Sequence, residues 1–87
     1  MKMDCTYIMA VRLENRNESA VTVQKILTEY GCCIRTRLGL HDYDEAGVCS
    51  PAGILILQLC CGGEKSQELE KALGAVDGVK AKLVDLA

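Results

Sequence analysis

The chain has 87 residues, enough for one small domain with a single core but too few for an added catalytic or DNA-binding domain. Its net charge is −2 and its pI is near 5.3, so it does not attract nucleic acid as a whole, and any basic patch must be local. No apolar run approaches a membrane span, and no signal peptide is recognisable, so we expect a soluble cytoplasmic protein that does not contact membranes.

The first half of the chain predicts a strand, a helix and a second strand. Residues 6–13 are a short apolar run bounded by polar residues, which is typical of a buried strand. Residues 14–17 offer asparagine N-caps for a helix that Gly31 ends in a left-handed conformation. Its apolar residues recur at helical spacing: Ala20, Val23, Leu27 and Tyr30. Residues 34–40 alternate in polarity, as in a strand with one face toward the core.

The second half begins with residues 41–53, which hold the only His, the only Pro and one of six Cys and predict a long loop. Such loops tend to carry function, so a ligand or partner site is first sought there. Residues 54–60 are nearly all apolar and predict a central strand, which the glycines at 62–63 end. An amphipathic helix with Leu69, Ala72, Leu73 and Val76 follows, and residues 79–86 predict the last strand.

This order of elements predicts one α+β domain over residues 1–87 with the ferredoxin-like βαββαβ fold. Right-handed crossovers place both helices on one face of an antiparallel sheet with strand order 4-1-3-2. The other sheet face has no element left to cover it, and we call it the open face.

The open face suggests self-association. If Ile34 and Leu40 point at the helices and Leu40 pairs with Ile54, the open face carries three leucines, which are Leu55, Leu57 and Leu59. Leaving each one exposed would forgo about 1.5 to 3 kcal/mol. We therefore expect these leucines to form the interface of a homodimer or a larger homo-oligomer. The alternative is that the long loop folds back over the open face.

Five cations fall on the predicted strands: Arg12, Arg35, Arg37, Lys80 and Lys82. In one interpretation they share the open face near its edges and hold an anionic ligand at a dimer seam. In the other they protect the edge strands from aggregation, with the loop acids Asp42, Asp44 and Glu45 as ion-pair partners.

The six cysteines show no C-x-x-C motif, so their spacing predicts neither a zinc ribbon nor a thioredoxin-like site. The hairpin register above places Cys33 opposite Cys61, so the pairs Cys32-Cys33 and Cys60-Cys61 can bring four sulfurs together. That cluster would bind a soft metal or form a disulfide on oxidation. Otherwise the cysteines pack as small apolar residues, reduced as in the cytosol. Cys5 receives no role.

His41 and Cys49 are the second metal candidate, because imidazole and thiolate suit a transition metal such as Zn, Ni, Cu or Fe. The acids of the same loop are possible further ligands, and a dimer would supply a second His and Cys. No other cofactor is indicated. No phosphate loop, dinucleotide fingerprint or positioned acid–base set is visible, so we do not expect an enzyme.

The ordered set of motifs resembles the small ACT-like proteins known as iron-only hydrogenase system regulators. The motifs are YIMAVRLENR in the first strand, ILTEYG at the helix end, IRTRLGLH, GILILQL and the closing DGVKAK. The resemblance implies an ACT-like regulatory domain, similar in fold to the ligand-binding domain of the nickel-responsive regulator. That relative's several-histidine nickel site does not carry over, since only His41 is present. Its ribbon-helix-helix segment has no counterpart here, so direct nucleic-acid binding is not expected.

We therefore expect a non-enzymatic regulatory module that binds a small molecule or a protein partner and acts as a homo-oligomer. The residues expected at that site are Arg35, Arg37, His41, Asp42 and Cys49. Binding would change the packing of the dimer, which requires different affinities for two states. The alternative is a metal or thiol-redox sensor that uses His41 with Cys49 or the paired cysteines.

Overall fold

The computed structural model of the chain describes residues 5–14, 16–43 and 49–86, and for residues 16–18, 40–43 and 49–52 it describes the backbone alone. The elements in chain order are β1 (Tyr7–Leu13), α1 (Arg16–Glu29), a 3-10 turn (Gly31–Cys33), β2 (Ile34–Tyr43), β3 (Cys49–Leu59), α2 (Gly62–Gly74) and β4 (Val79–Asp85). Within these ranges, neither helix has the length and apolar character that crossing a bilayer requires.

The four strands form one antiparallel sheet in the order β2-β3-β1-β4, which reads 4-1-3-2 when counted from the β4 edge. The predicted six-element ferredoxin-like pattern nevertheless needs correction. A seventh element, the 3-10 turn Gly31–Cys33, stands between α1 and β2. The side chains of β3 also face the opposite way from the prediction, and the predicted long loop is mostly strand.

The segment predicted as a loop, residues 41–53, is largely the far end of a hairpin. β2 continues to Tyr43 and β3 begins at Cys49, with His41 paired to Gly53 and Tyr43 paired to Cys49. β1 pairs with β3 only as far as Gly53, so beyond that point β2 and β3 form a two-stranded ribbon. The acids Asp44 and Glu45 lie outside the described residues.

The core lies between the helices and one sheet face. Both helices pack on this face, α1 against β1 and β3, and α2 against β1 and β4. The fully or almost fully buried side chains are Met9, Val11 and Leu13 of β1, Val23 and Leu27 of α1, Leu57 and Leu59 of β3, Leu69 and Leu73 of α2, and Val79 of β4. These apolar positions follow period two in the strands and helical spacing in the helices, which is why the elements form where they do.

The prediction that Leu55, Leu57 and Leu59 form an interface on the open face is wrong. Leu57 and Leu59 are completely buried beneath the helices, and Leu55 packs against the same core. The predicted pairing of Leu40 with Ile54 is confirmed, so the error lies elsewhere in the hairpin. The pairing shifts between Ile34 and Thr36, so Ile34 packs against the core while later residues of β2 are turned over.

Two glycines with positive φ shape the chain around α2. Gly62, at φ 79°, lets the chain turn into the helix, and Gly78, at φ 77°, forms the turn before β4. The Gly78 carbonyl accepts a hydrogen bond of 2.8 Å from the Glu14 amide, which ties this turn to the end of β1. The predicted left-handed conformation at Gly31 is wrong, because Gly31 begins the 3-10 turn instead.

Candidate functional site

The open face of the sheet lies opposite the face on which both described helices pack. Directly opposite residues on antiparallel strands share a face, so the register assigns its members. β1 contributes Ile8, Ala10 and Arg12; β3 contributes Ile54, Ile56 and Gln58; β2 contributes Thr36 and Leu38; and β4 contributes Lys80, Lys82 and Val84.

The apolar members of the open face are concentrated toward the hairpin strands. Leu38 stands opposite Ile56, and Ile56 stands opposite Ala10. Leu38 is 53 % exposed, Ile54 is 37 % exposed, and Val84 on the other edge is 41 % exposed. Large aliphatic side chains exposed side by side on a sheet are typical of a protein interface. We name Ile8, Leu38, Ile54, Ile56 and Val84 the apolar strip.

A cationic group adjoins the apolar strip on β1 and β4. Arg12 and Lys80 are directly opposite one another, and Lys82 stands opposite Ala10. All three cations are exposed, and none is in an ion pair with another described residue. A shallow depression of about 620 Å³ is lined by these cations with Ala10 and Ile54, and its lining extends past the open face to Val11, Val79, Ala81 and, at the end of α2, Gly74. Two like charges placed opposite each other are unfavourable unless an anion lies between them.

Arg35 and Arg37 do not join this cationic group. They lie on β2, which is separated from β4 by both central strands. Arg37 pairs with Leu57, so it projects from the helix side of the sheet, where it is exposed. The Arg35 guanidinium instead contacts the Cys5 sulfur at 3.9 Å. The predicted grouping of all five cations on one face is therefore wrong.

In the predicted site, His41 lies where the two-stranded ribbon begins, and Asp42 and Cys49 lie on the ribbon. His41 and Asp42 lie near the end of β2, and Cys49 begins β3, where its backbone partner is Tyr43. Their side chains lie outside the described part of the structure. Metal or ligand binding by these three residues stays a prediction.

A cluster of four cysteines occupies the opposite end of the sheet. Disulfides join Cys5 to Cys60 and Cys33 to Cys61, with Cα–Cα distances of 4.1 and 4.9 Å. We name these four residues the cysteine cluster. Cys5 immediately precedes β1, Cys33 ends the 3-10 turn, and residues 60 and 61 connect β3 to α2. The expectation that all thiols are reduced is therefore wrong for these four.

Backbone and side-chain hydrogen bonds fix the cysteine cluster in place. The Cys60 amide donates to the Cys33 carbonyl at 2.7 Å, and the Gln58 side-chain amide donates to the Cys5 carbonyl at 3.1 Å. The Thr36 hydroxyl donates in turn to the Gln58 side-chain carbonyl at 3.1 Å. The segment before β1 is thereby tied to β3, and the start of β2 lies beside it.

The sequence interpretation identified this cluster with one wrong member. Cys33 and Cys61 meet as the hairpin register predicted, but Cys32 is free and exposed, and Cys5 takes its place. The signal for Cys5 was present in the pairing of β1 with β3. Tyr7 pairs with Leu59, so continuing the antiparallel register carries Cys5 to the segment at 60–61. Among the described residues, the cysteine cluster included, no group of three or more His, Cys, Asp or Glu is arranged to hold a metal ion.

A small polar group lies beside the cysteine cluster. The carboxylate of Glu68 accepts hydrogen bonds of 3.2 Å from both the Tyr30 hydroxyl and the Lys65 ammonium. Desolvation and then the bond to Glu68 raise the pKa of Tyr30. The hydrogen bond from Lys65 is the main cause that lowers the pKa of Glu68, and the same bond raises the pKa of Lys65. Tyr30, Lys65, Cys32 and Cys33 line a depression of about 390 Å³.

Comparison with known proteins supports the fold and leaves the activity open. No protein-family model and no curated protein matches the chain. Among solved structures, it is similar to the uncharacterized protein TM1266 from Thermotoga maritima, at 26 % sequence identity and a TM-score of 0.77. The similarity covers 93 % of this chain and 95 % of that one, so it extends over nearly the whole domain.

Proposed function

We propose that this protein is a non-enzymatic regulatory module of the cytoplasm that senses a ligand and acts as a homo-oligomer through its open face. Its resemblance to the iron-only hydrogenase system regulators supports a role in such a system. The observation that carries the proposal is the uncovered sheet face with its apolar strip. A second copy placed face to face would cover both strips at once.

The composition of the open face fits a self-contact with a ligand at its border. Ile56 lies on the central strand β3 and would be covered by the partner, whereas Lys80 and Lys82 lie on the edge strand β4. Long lysine side chains can cover apolar surface with their stems while the ammonium groups reach solvent at the rim. This arrangement puts the cationic group next to the dimer seam.

The same arrangement suggests what the ligand would be and how it would act. Arg12, Lys80 and Lys82 favour a small organic anion whose apolar part contacts Ile54 at the depression. Occupation would shift the oligomer between two packings only if the anion binds one packing more tightly than the other. The effector would therefore be recognised at the seam, where both copies contribute to its surroundings.

The oligomer is tested by placing a charge on the open face. We expect Ile56→Lys to convert the oligomer to a monomer, because dimerisation would bury an unpaired ammonium group. Sedimentation velocity at micromolar concentrations measures the change. The matched control is Val21→Lys on α1, which adds the same charge at a site that is 77 % exposed and away from the sheet.

The control should keep the wild-type sedimentation coefficient. A wild-type monomer at these concentrations contradicts the proposed assembly. An oligomer that survives Ile56→Lys, with native circular dichroism, shows that the interface lies on another surface.

A thiol-redox sensor is the second candidate, and the cysteine cluster favours it. Each disulfide forms when two thiols give two electrons and two protons to an oxidant, such as a low-molecular-weight disulfide, which becomes two thiols. Alkylation followed by mass spectrometry counts the free thiols in oxidised and reduced protein. A sensor should lose four reactive thiols on oxidation and keep Cys32 reactive.

A further inference from the structure

We propose that the Cys5–Cys60 disulfide is a redox switch for self-association through the open face, and that the Cys33–Cys61 disulfide is not. The inference rests on the proposed function, since it concerns how association through that face is regulated. In the oxidised protein, the segment before β1 satisfies a polar side chain that lies beside the apolar strip. In the reduced protein, that side chain loses a fixed partner.

The two disulfides join different parts of the domain. Cys5 precedes β1 and Cys60 follows β3, so their bond links the ends of the two central strands. The other bond joins the connection between α1 and β2, at Cys33, to the connection between β3 and α2, at Cys61. It is the first bond that holds a segment hydrogen-bonded to a side chain of the open face, which is Gln58.

Gln58 is the polar side chain on which the switch depends. It stands on β3 opposite Ile8 and two residues from Ile56, and both of these isoleucines belong to the apolar strip. All three side chains are half-buried in a single copy, and a second copy on the open face would remove more of their surface from water. Removing an amide from water is unfavourable unless its polar atoms keep hydrogen bonds.

The segment before β1 supplies one of the hydrogen bonds that Gln58 needs. The Gln58 side-chain amide donates to the Cys5 carbonyl at 3.1 Å, and its side-chain carbonyl accepts from the Thr36 hydroxyl at 3.1 Å. The Arg35 guanidinium contacts the Cys5 sulfur at 3.9 Å. Gln58 is therefore satisfied within its own copy, so association can bury it at little cost while Cys5 stays in place.

The disulfide fixes the position of Cys5. Cys5 lies two residues before the start of β1, and the Thr6 carbonyl between them accepts a hydrogen bond of 2.9 Å from the Leu86 amide. Reduction removes the covalent bond that holds Cys5 against the end of β3. A single hydrogen bond contributes little net free energy in water, so the bond from Gln58 does not replace the covalent tie.

Oxidation should therefore strengthen the oligomer, and reduction should weaken it. In the reduced protein, association either buries the Gln58 amide without a partner or must first return Cys5 to its place, and both cost free energy. A two-fold contact incurs this cost in each copy. The two redox states thus differ in their affinity for a second copy, as any such switch requires.

The oxidant is a low-molecular-weight disulfide. The thiolate of one cysteine attacks a sulfur of the small disulfide, whose S–S bond breaks, so a mixed disulfide forms and one small thiolate leaves. The thiolate of the other cysteine attacks the protein sulfur of the mixed disulfide, forms the Cys5–Cys60 bond and displaces the second small thiolate. The two protons lost by the protein thiols convert the small thiolates to thiols. Excess dithiol reverses both steps.

Sedimentation of the whole chain in two redox states tests the switch. The protein is oxidised with glutathione disulfide or reduced with dithiothreitol, and non-reducing mass spectrometry verifies that no disulfide joins two chains. We expect the dissociation constant of the oligomer to be at least about tenfold larger after reduction. A buried donor without a partner weakens association by at least about fivefold in each copy.

Variants separate the two disulfides from each other. The double variant with Cys5→Ala and Cys60→Ala should associate as weakly as the reduced wild type in both redox states. The matched control, with Cys33→Ala and Cys61→Ala, should keep the wild-type response. Gln58→Leu leaves every cysteine in place and removes the amide, so it should associate tightly whether oxidised or reduced. It decides the outcome by itself if a double variant does not fold, as judged by circular dichroism.

The outcomes distinguish the switch from the self-association on which it rests. A wild-type oligomer whose dissociation constant is unchanged or smaller after reduction overturns the switch and leaves self-association standing. A wild-type protein that is monomeric in both redox states contradicts both. A redox response that persists in Gln58→Leu, or that persists after Cys5 and Cys60 are replaced, assigns the effect to another part of the molecule and overturns the inference.

Discussion

At the scale of single residues, Glu68 connects the end of α1 to the first half of α2. Its carboxylate accepts from Tyr30 and from Lys65, and the Lys65 pair is an exposed i,i+3 contact of the kind that contributes little to stability. Because the pKa of Glu68 is lowered in the folded protein, this contribution is present at neutral pH. It is lost in acid, as the pH falls below the ordinary range of glutamate and through the folded-state pKa.

Replacing Glu68 should change the titration of a single tyrosine. Glu68→Gln should lower the pKa of Tyr30 while leaving it above the ordinary value, because desolvation is the larger cause of the upward shift. Carbon-13 NMR of the tyrosine ring carbons against pH measures this directly. Glu64→Gln, one turn earlier on α2, is the control and should leave Tyr30 unchanged. An equal shift in both variants would assign the effect to net charge.

At the scale of elements, neighbouring residues of β3 have opposite surroundings. Leu57 is completely buried in the core, whereas its neighbour Ile56 belongs to the apolar strip opposite Leu38. A side chain of α2 also satisfies a backbone group on the edge strand β4. On β4 the Leu83 amide donates to the Glu70 carboxylate of α2 at 2.7 Å, so a helix side chain satisfies a group that sheet pairing leaves open.

Truncating a buried leucine and an exposed leucine should distinguish the core face of the sheet from the open face. Leu57→Ala should lower the free energy of unfolding by about 2 to 5 kcal/mol, because it leaves a cavity in a closed core. Leu38→Ala should cost about 1 kcal/mol or less in the monomer, since Leu38 is already 53 % exposed. Urea unfolding at two protein concentrations measures both and separates any loss of self-association. Equal costs in the monomer would contradict this assignment of faces.

The two faces of β3 could not be assigned from sequence because nearly all of its residues are apolar. An alternating strand shows which side is buried, but Ile54, Leu55, Ile56 and Leu57 satisfy either orientation. The prediction therefore took its orientation from β2, whose alternation reads clearly. The shift in pairing between Ile34 and Thr36 breaks that link, and short-range pattern does not reveal it.

At the scale of the whole molecule, two disulfides close long loops in the chain. The Cys5–Cys60 bond joins residues 55 apart in sequence, and the Cys33–Cys61 bond joins residues 28 apart. On the chain-entropy account, a loop of the longer size stabilises the folded state by roughly 4 kcal/mol. A chain this short buries only part of its surface, so such cross-links contribute substantially to its stability.

The oxidised protein should therefore depend on Cys5. Cys5→Ser should lower the free energy of unfolding by about 2 to 4 kcal/mol in the absence of reductant, as measured by urea denaturation. Cys32→Ser should have no comparable effect, because Cys32 is unpaired and exposed. In dithiothreitol without metal, wild type and Cys5→Ser should unfold alike. A difference that persists there would show that the disulfide is not its cause.

Element types and strand neighbours were predictable because period-two and helical patterns are local and strong. Contacts between segments that are far apart in the sequence were harder to predict. Cys33 and Cys61 were brought together by a register that one hairpin defines, while Cys5 needed the register of β1 against β3 as well. The prediction that five cations share one face was wrong for a similar reason, since the faces of Arg35 and Arg37 depend on the irregular start of β2.

The two-stranded ribbon beyond Gly53 is joined to the rest of the described sheet at one end. Gly53 is the last residue of β3 with a strand on each side, His41 on one and Leu13 on the other. Past this point the two strands pair with each other, and no third strand of the described residues pairs with them to resist their twist. A partner that binds the ribbon would therefore act on Gly53, which is next to Ile54 at the border of the open face. In the proposed homo-oligomer, the ribbon would thus transmit the binding of a partner to the open face.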